Sequence, residues 1–183
     1  MLLKPALRYG TTTKPWRIIM TTHQFCTPGW LKESARIYKA KPDAKDKLKK
    51  LTAKICYRVK SDPDWCIRED IIFCSFFEKG ELKALNFFTE DEAFQAAEYL
   101  MAATPRTWKK ILRKKRDFVT DFILGKINLE LGTQVSMLEL ALYANNILDC
   151  LTQVDLRFPD EMSTDELATY RSKMETFRHA KGA

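Results

Sequence analysis

Few side chains in this sequence are of the kinds that make or break bonds. Its two histidines, His23 and His179, lie toward opposite ends of the chain, and neither sits where a general base would be expected. Cys26, Cys56, Cys66, Cys74 and Cys150 are odd in number, scattered, and never spaced as C-x-x-C. A zinc site needs closely spaced soft ligands, so no metal centre is expected. The thiols read instead as small apolar side chains in a reducing cytoplasm. Asp117 and Asp121 stand four apart on one helical face beside Lys114, Lys115 and Arg116, and read as surface electrostatics. G-x-S-x-G, P-loop and G-x-G-x-x-G patterns are all missing from the sequence. Neither an enzyme nor a cofactor site is expected.

Charge points elsewhere. Lys and Arg number 31 against 24 Asp and Glu, a formal net charge of +7. That excess is compatible with an acidic partner, and equally with a well-solvated face. Arg106–Arg116 (RTWKKILRKKR) carries seven basic residues in eleven positions and no acid. Trp108, Ile111 and Leu112 share one face of it. Lys109, Lys110, Arg113 and Lys114 form a basic surround that would suit docking on an anionic membrane, at about 1 kcal/mol per cation. Phosphates of a nucleic acid would attract the same helix. The plainest reading is a solvated outer face with Trp108 in the core.

The elements that would hold these residues can be read from periodicity. Trp30–Ala40 has helical spacing, Pro42 stops it, and Asp43 is placed to cap a short helix reaching Leu51. Thr52–Val59 alternates as a strand whose Lys54, Cys56 and Arg58 side is wet. Asp70–Phe77 is apolar on both alternating sets, which predicts an interior strand. A turn at Glu78-Lys79-Gly80 returns Glu81–Phe88 as its antiparallel partner. Thr89–Ala97 follows as a helix and Glu98–Ala103 as a short strand. Thr104-Pro105 opens a helix running to about Lys115, and a second helix starts behind Asp117 and ends at Leu124-Gly125. Lys126–Leu131 is the last strand. Thr133–Leu151 is a long helix, and Ser163–Arg178 a polar terminal one with a Ser163/Glu166 capping box. Strands in the middle with helices on either side predict an α+β fold.

The long helix is apolar over more than one face, with Val135, Leu138 and Leu142 on one and Met137, Ala141, Ala144, Leu148 and Leu151 on the next. Such a helix must be covered on several sides, or must line a space filled by something apolar. Ordinary core is the alternative.

Here a family likeness enters. Glu98-Tyr99, then Trp108-Lys109-Lys110-Ile111-Leu112, then Phe122-Ile123-Leu124-Gly125-Lys126-Ile127 resemble, in order, the sterol carrier protein domain family. Gly132 and the apolar run Leu138–Leu151 continue the pattern, and Asp70–Phe77 with Glu78-Lys79-Gly80 fit upstream. The resemblance spans about residues 30–151. It implies an antiparallel-rich sheet of about five strands, helices packed on one face, and an apolar tunnel between the two. It implies non-catalytic binding of a sterol, fatty acid, acyl-coenzyme A or other lipid. On this reading Phe73, Phe76, Trp108, Phe118, Phe122, Leu138, Leu142, Ile147 and Leu151 line the cavity. A nucleic-acid-binding module using residues 106–116 is one competitor. A non-catalytic partner or regulatory subunit, packing its long helix or its tail on another chain, is the other.

Residues 1–29 read as an N-terminal extension and 152–183 as a C-terminal helical one. The first 32 residues contain no acid and four early cations, which by composition is like a transit peptide. A start at Met20 explains the same stretch. The polar flanks Glu139 and Asp149 keep the greasiest segment too short to cross a membrane.

Overall fold

The computed structural model describes residues 21–181, so the expectations about the first 20 residues lie outside it. In chain order the elements are β1 (His23–Gln24), α1 (Pro28–Lys39), α2 (Pro42–Lys47), β2 (Ala53–Val59), β3 (Ile71–Glu78), β4 (Glu81–Phe88), α3 (Glu90–Ala96) and β5 (Tyr99–Ala103). Then come α4 (Pro105–Leu112), α5 (Phe118–Ile123), β6 (Asn128–Leu131), α6 (Gln134–Leu151), β7 (Leu156–Arg157) and α7 (Thr164–Lys181).

Five strands form one sheet in the order β4-β3-β2-β5-β6, antiparallel throughout except for the parallel pair β2–β5. β3, apolar on both alternating sets, is an interior strand buried on both faces. Lys79 and Gly80 both take positive φ, 47° and 76°, which is the backbone a two-residue hairpin loop requires. The parallel β2–β5 pairing needs a long connection, and β3, β4 and α3 supply it.

Helix ends follow side-chain chemistry. The hydroxyl of Thr104 accepts from the Thr107 N–H, the carboxylate of Asp117 from the Thr120 N–H at 2.8 Å, and the hydroxyl of Thr133 from the Ser136 N–H. Ser163 and Glu166 exchange their bonds as a capping box. α4 stops at Leu112, short of the expected Lys115, because Lys114 turns left-handed at φ 54°. α2 begins at Pro42 with Lys41 as its cap, not at Asp43, and ends at Lys47.

Three expectations are corrected here. The side of β2 read as wet is covered: Cys56 and Arg58 are buried there. Cys56, Ile72, Cys74 and Leu100 form a second apolar cluster with Ala93 of α3, which lies on the sheet face opposite the main core. Helices therefore pack on both faces, though most share one. Arg58 is tolerated there because Asp70, Glu90 and Glu130 reach its guanidinium at 3.1, 2.6 and 2.8 Å. Next, Cys56 and Cys74 are disulfide-bonded, not free thiols. They are directly opposed in the antiparallel β2–β3 register with Cα atoms 4.0 Å apart, a proximity invisible in a spacing of 18 residues. Finally, Asp121 is fully buried, with the Arg116 Nε 2.8 Å from its carboxylate, and is no surface group.

The segments on either side of residues 30–151 join the same core. β1 pairs in parallel with β7, and the rings of Phe25 and Phe158 lie 4.9 Å apart. The Tyr170 hydroxyl of α7 donates to the Phe25 carbonyl at 3.1 Å. Among the described residues no helix is long and apolar enough to cross a membrane.

Candidate functional site: an apolar space under the long helix

The sheet face opposite α3 is floored by rings and aliphatic chains. Tyr57 of β2 stacks on Phe73 of β3 at 5.0 Å, and Trp30 of α1 meets Phe73 edge-on at 5.3 Å. Trp108 of α4 stands edge-on to Tyr57 at 6.0 Å and is fixed by donating its Nε1–H to the Arg58 carbonyl at 3.0 Å. Above this floor runs α6, which turns Met137, Leu140, Ala144, Ile147 and Leu151 inward. These positions recur at intervals of three and four residues, the inner stripe of a helix.

Between floor and helix the packed side chains leave a small apolar cavity of about 30 Å³. Phe73, Trp108, Phe118, Ile147 and Leu151, five of the nine residues named from sequence, line it, joined by Phe25, Trp30, Ile55, Tyr57 and Met101. A smaller neighbouring cavity of about 20 Å³ shares Tyr57, Ile147 and Leu151 with the first and adds Ser34, Tyr38 and Ser75. Among the described residues, no charged side chain lines either space. Burial pushes the Tyr57 hydroxyl up to about 12, an effect its hydrogen bond with Ser75 only partly offsets, so it too stays neutral.

The other four residues named from sequence are elsewhere. Leu138 and Leu142 point to solvent, 50% and 78% exposed, because the inward stripe of α6 is the neighbouring one. Phe76 packs with Phe88 against the second cluster on the other sheet face, since side chains alternate along β3. Phe122 packs against the main core, half-buried, without reaching the space. With Ile123, Leu124 and Val135, the two leucines give α5 and the first half of α6 an exposed apolar surface.

The basic helix α4 has partners within the chain. Lys109 bonds Asp160 at 2.7 Å and Glu161 at 2.8 Å, and its ammonium lies over the rings of Trp65 and Phe158. Arg113 reaches Glu161 at 2.9 Å and the Leu156 carbonyl at 2.8 Å. Arg106 bonds Asp62 and Asp64, and Lys114 bonds Asp149. Lys110 is exposed. Three of the four cations singled out for docking, Lys109, Arg113 and Lys114, are thus turned toward acids of α6 and of the segment that follows it. Glu161 sits low: burial would raise its pKa, but bonds from Lys109 and the Phe158 N–H, together with the Arg113 charge, outweigh that.

No family model and no curated protein matches the sequence. Solved structures do resemble the fold. A crystal structure of sterol carrier protein 2 superposes with a TM-score of 0.63 at 15% identity, covering 71% of this chain and 98% of that one. A solution structure from Thermus thermophilus, of a conserved hypothetical protein described as possibly a sterol carrier protein, gives 0.65 at 14% identity, covering 75% and 94%. At such identities the likeness speaks to the fold. The chain has an α+β architecture of the sterol carrier protein 2 type.

Proposed function

We propose that this chain, with its sterol-carrier-type architecture, is a non-catalytic carrier that holds a lipid between the sheet and α6. One observation carries the reading: the space under α6 is apolar over nearly all of its wall, lined by aromatic and aliphatic side chains from β2, β3, β5 and four of the helices, and by no charge among the described residues. Walls of this kind stabilise an alkyl chain by roughly 0.8 kcal/mol per buried methylene, without needing specific polar contacts. The space is narrow as it stands, so entry of a chain requires α6 to move outward. Such a movement uncovers the buried inner stripe of Met137, Leu140 and Ala144, which the entering chain must cover in its place.

Delivery to a membrane fits that outer side better than it fits α4. Ile123, Leu124, Val135, Leu138 and Leu142 are exposed, and Lys115 and Lys126, also exposed, flank α5 in sequence. Apolar side chains beside cations match an anionic bilayer surface. The cations of α4 are largely committed to Asp62, Asp64, Asp149, Asp160 and Glu161, which weakens a nucleic-acid reading of residues 106–116.

Two variants on opposite sides of α6 test this. Ala144→Phe fills the space from inside, and a fluorescent long-chain probe should bind it at least tenfold more weakly than wild type. Leu142→Asp, at a 78% exposed site, should leave probe affinity unchanged and slow probe transfer to anionic vesicles. Equal probe binding by Ala144→Phe and wild type would sink the carrier reading.

A further inference from the structure

Two polar atoms in the walls of these spaces have no partner. Trp30 Nε1 and Ser34 Oγ belong to fully buried residues and make no hydrogen bond. They stand one turn apart on the same face of α1; Trp30 lines the larger space and Ser34 the smaller. A buried polar group left unsatisfied forfeits its hydration with nothing in return, so native proteins seldom keep two side by side. Close by, the hydroxyls of Tyr57 and Ser75 share one hydrogen bond at 3.2 Å. Two hydroxyls that share one bond use a single proton between them, so the pair still has one proton to donate and lone pairs to accept. Tyr38, on the next turn of α1, is occupied, its hydroxyl donating to the Gly80 carbonyl.

Resting on the carrier reading, we infer that the part of the space beside Ser34 is a head-group subsite, and that the lipid lies with its polar end there, bearing one uncharged hydroxyl that Ser34 and the Tyr57–Ser75 pair receive. The chemistry selects that class. A hydroxyl both donates and accepts, as the subsite can. A carboxylate only accepts, and here it would lie buried with no cation among the described lining residues to offset its lost hydration. A bare hydrocarbon gains nothing from Ser34. Long-chain alcohols and sterols both present such a hydroxyl, on different carbon skeletons.

The test is competition against the fluorescent probe by hexadecanol, hexadecane, hexadecanoate and cholesterol, on wild type and Ser34→Ala. Ser34→Ala removes an unpartnered group from a helix and should fold at least as well as wild type. Wild type should bind hexadecanol or cholesterol about five- to tenfold more tightly than hexadecane, the equivalent of one net hydrogen bond. Hexadecanoate should not exceed the alcohol. In Ser34→Ala the alcohol's advantage should shrink toward unity while hexadecane binding stays put. Which skeleton wins tells chain from ring, and either supports the subsite. A wild type that ranks hexadecane level with both alcohols, or a Ser34→Ala variant that keeps the full preference, overturns the inference and leaves the carrier intact. A wild type that binds neither probe nor competitor overturns the carrier reading itself.

Discussion

Glycines at two turns show how differently one residue type can be constrained. Gly80 closes the β3–β4 hairpin at φ +76°, and a Cβ added there would lie 2.6 Å from the Leu48 carbonyl carbon and 2.7 Å from the Lys45 oxygen. Gly125 turns the chain after α5 at φ +68° with nothing within 4 Å of the same position. Gly125→Ala should therefore cost only the left-handed strain, about 1–2 kcal/mol. Gly80→Ala adds a backbone clash and should cost clearly more, with a larger drop in chemical-denaturation midpoint. Equal losses would contradict this. The Gly125-Lys126 turn stands out in the sequence, whereas the crowding at Gly80 comes from a segment well upstream and leaves no local trace. Asp121 teaches the same lesson. Its neighbours in sequence are cations and a polar cap, but its carboxylate is buried against Arg116.

Among the elements, α4 and the segment after α6 behave as one clasp. Lys109 and Arg113 converge on Glu161, whose carboxylate also accepts the Phe158 N–H at 3.1 Å. Because the Glu161 pKa is lowered on folding, its contribution is present above the unfolded value, about 4.3, and fades as pH falls through the folded one. Glu161→Gln should lower stability at pH 7 by roughly 0.5–1 kcal/mol, the range of a partly exposed pair. The gap to wild type should close only as pH falls below the ordinary carboxylate range and through the lowered folded value, where wild type is protonated too. Thermal melts across that range check it; a constant gap would assign the loss to packing. α4 itself, its Thr104 cap and its Trp108 anchor are readable from residues 104–112 alone. The acids that meet its cations are not, because Asp149, Asp160 and Glu161 lie far downstream in the chain. The long helix is readable in extent and apolar character, but its inward stripe is not. Leu138 and Leu142 look as suitable as Met137 and Ala144, and only the docked sheet decides which stripe turns inside.

At the scale of the molecule, the five strands of the main sheet, the β3–β4 hairpin and the α+β class follow from alternation and turn chemistry that local sequence contains, whereas the short β1–β7 pair does not. The β2–β5 parallel pairing, the cover of α3 on the second face and the Cys56–Cys74 bond depend on which strands end up adjacent, which periodicity does not encode. The N- and C-terminal segments, read as extensions, complete the core through Phe25, Phe158 and Tyr170. The space under α6 is bounded partly by Phe25, so the segment read as an N-terminal extension contributes to its wall. The carrier account depends on this space opening for a chain and closing when empty. Native mass spectrometry of the protein stripped of lipid and then mixed with hexadecanol tests it most directly. The account predicts a single one-to-one adduct with wild type and none with Ala144→Phe. Adducts of equal abundance on both proteins, or none on either, would contradict it.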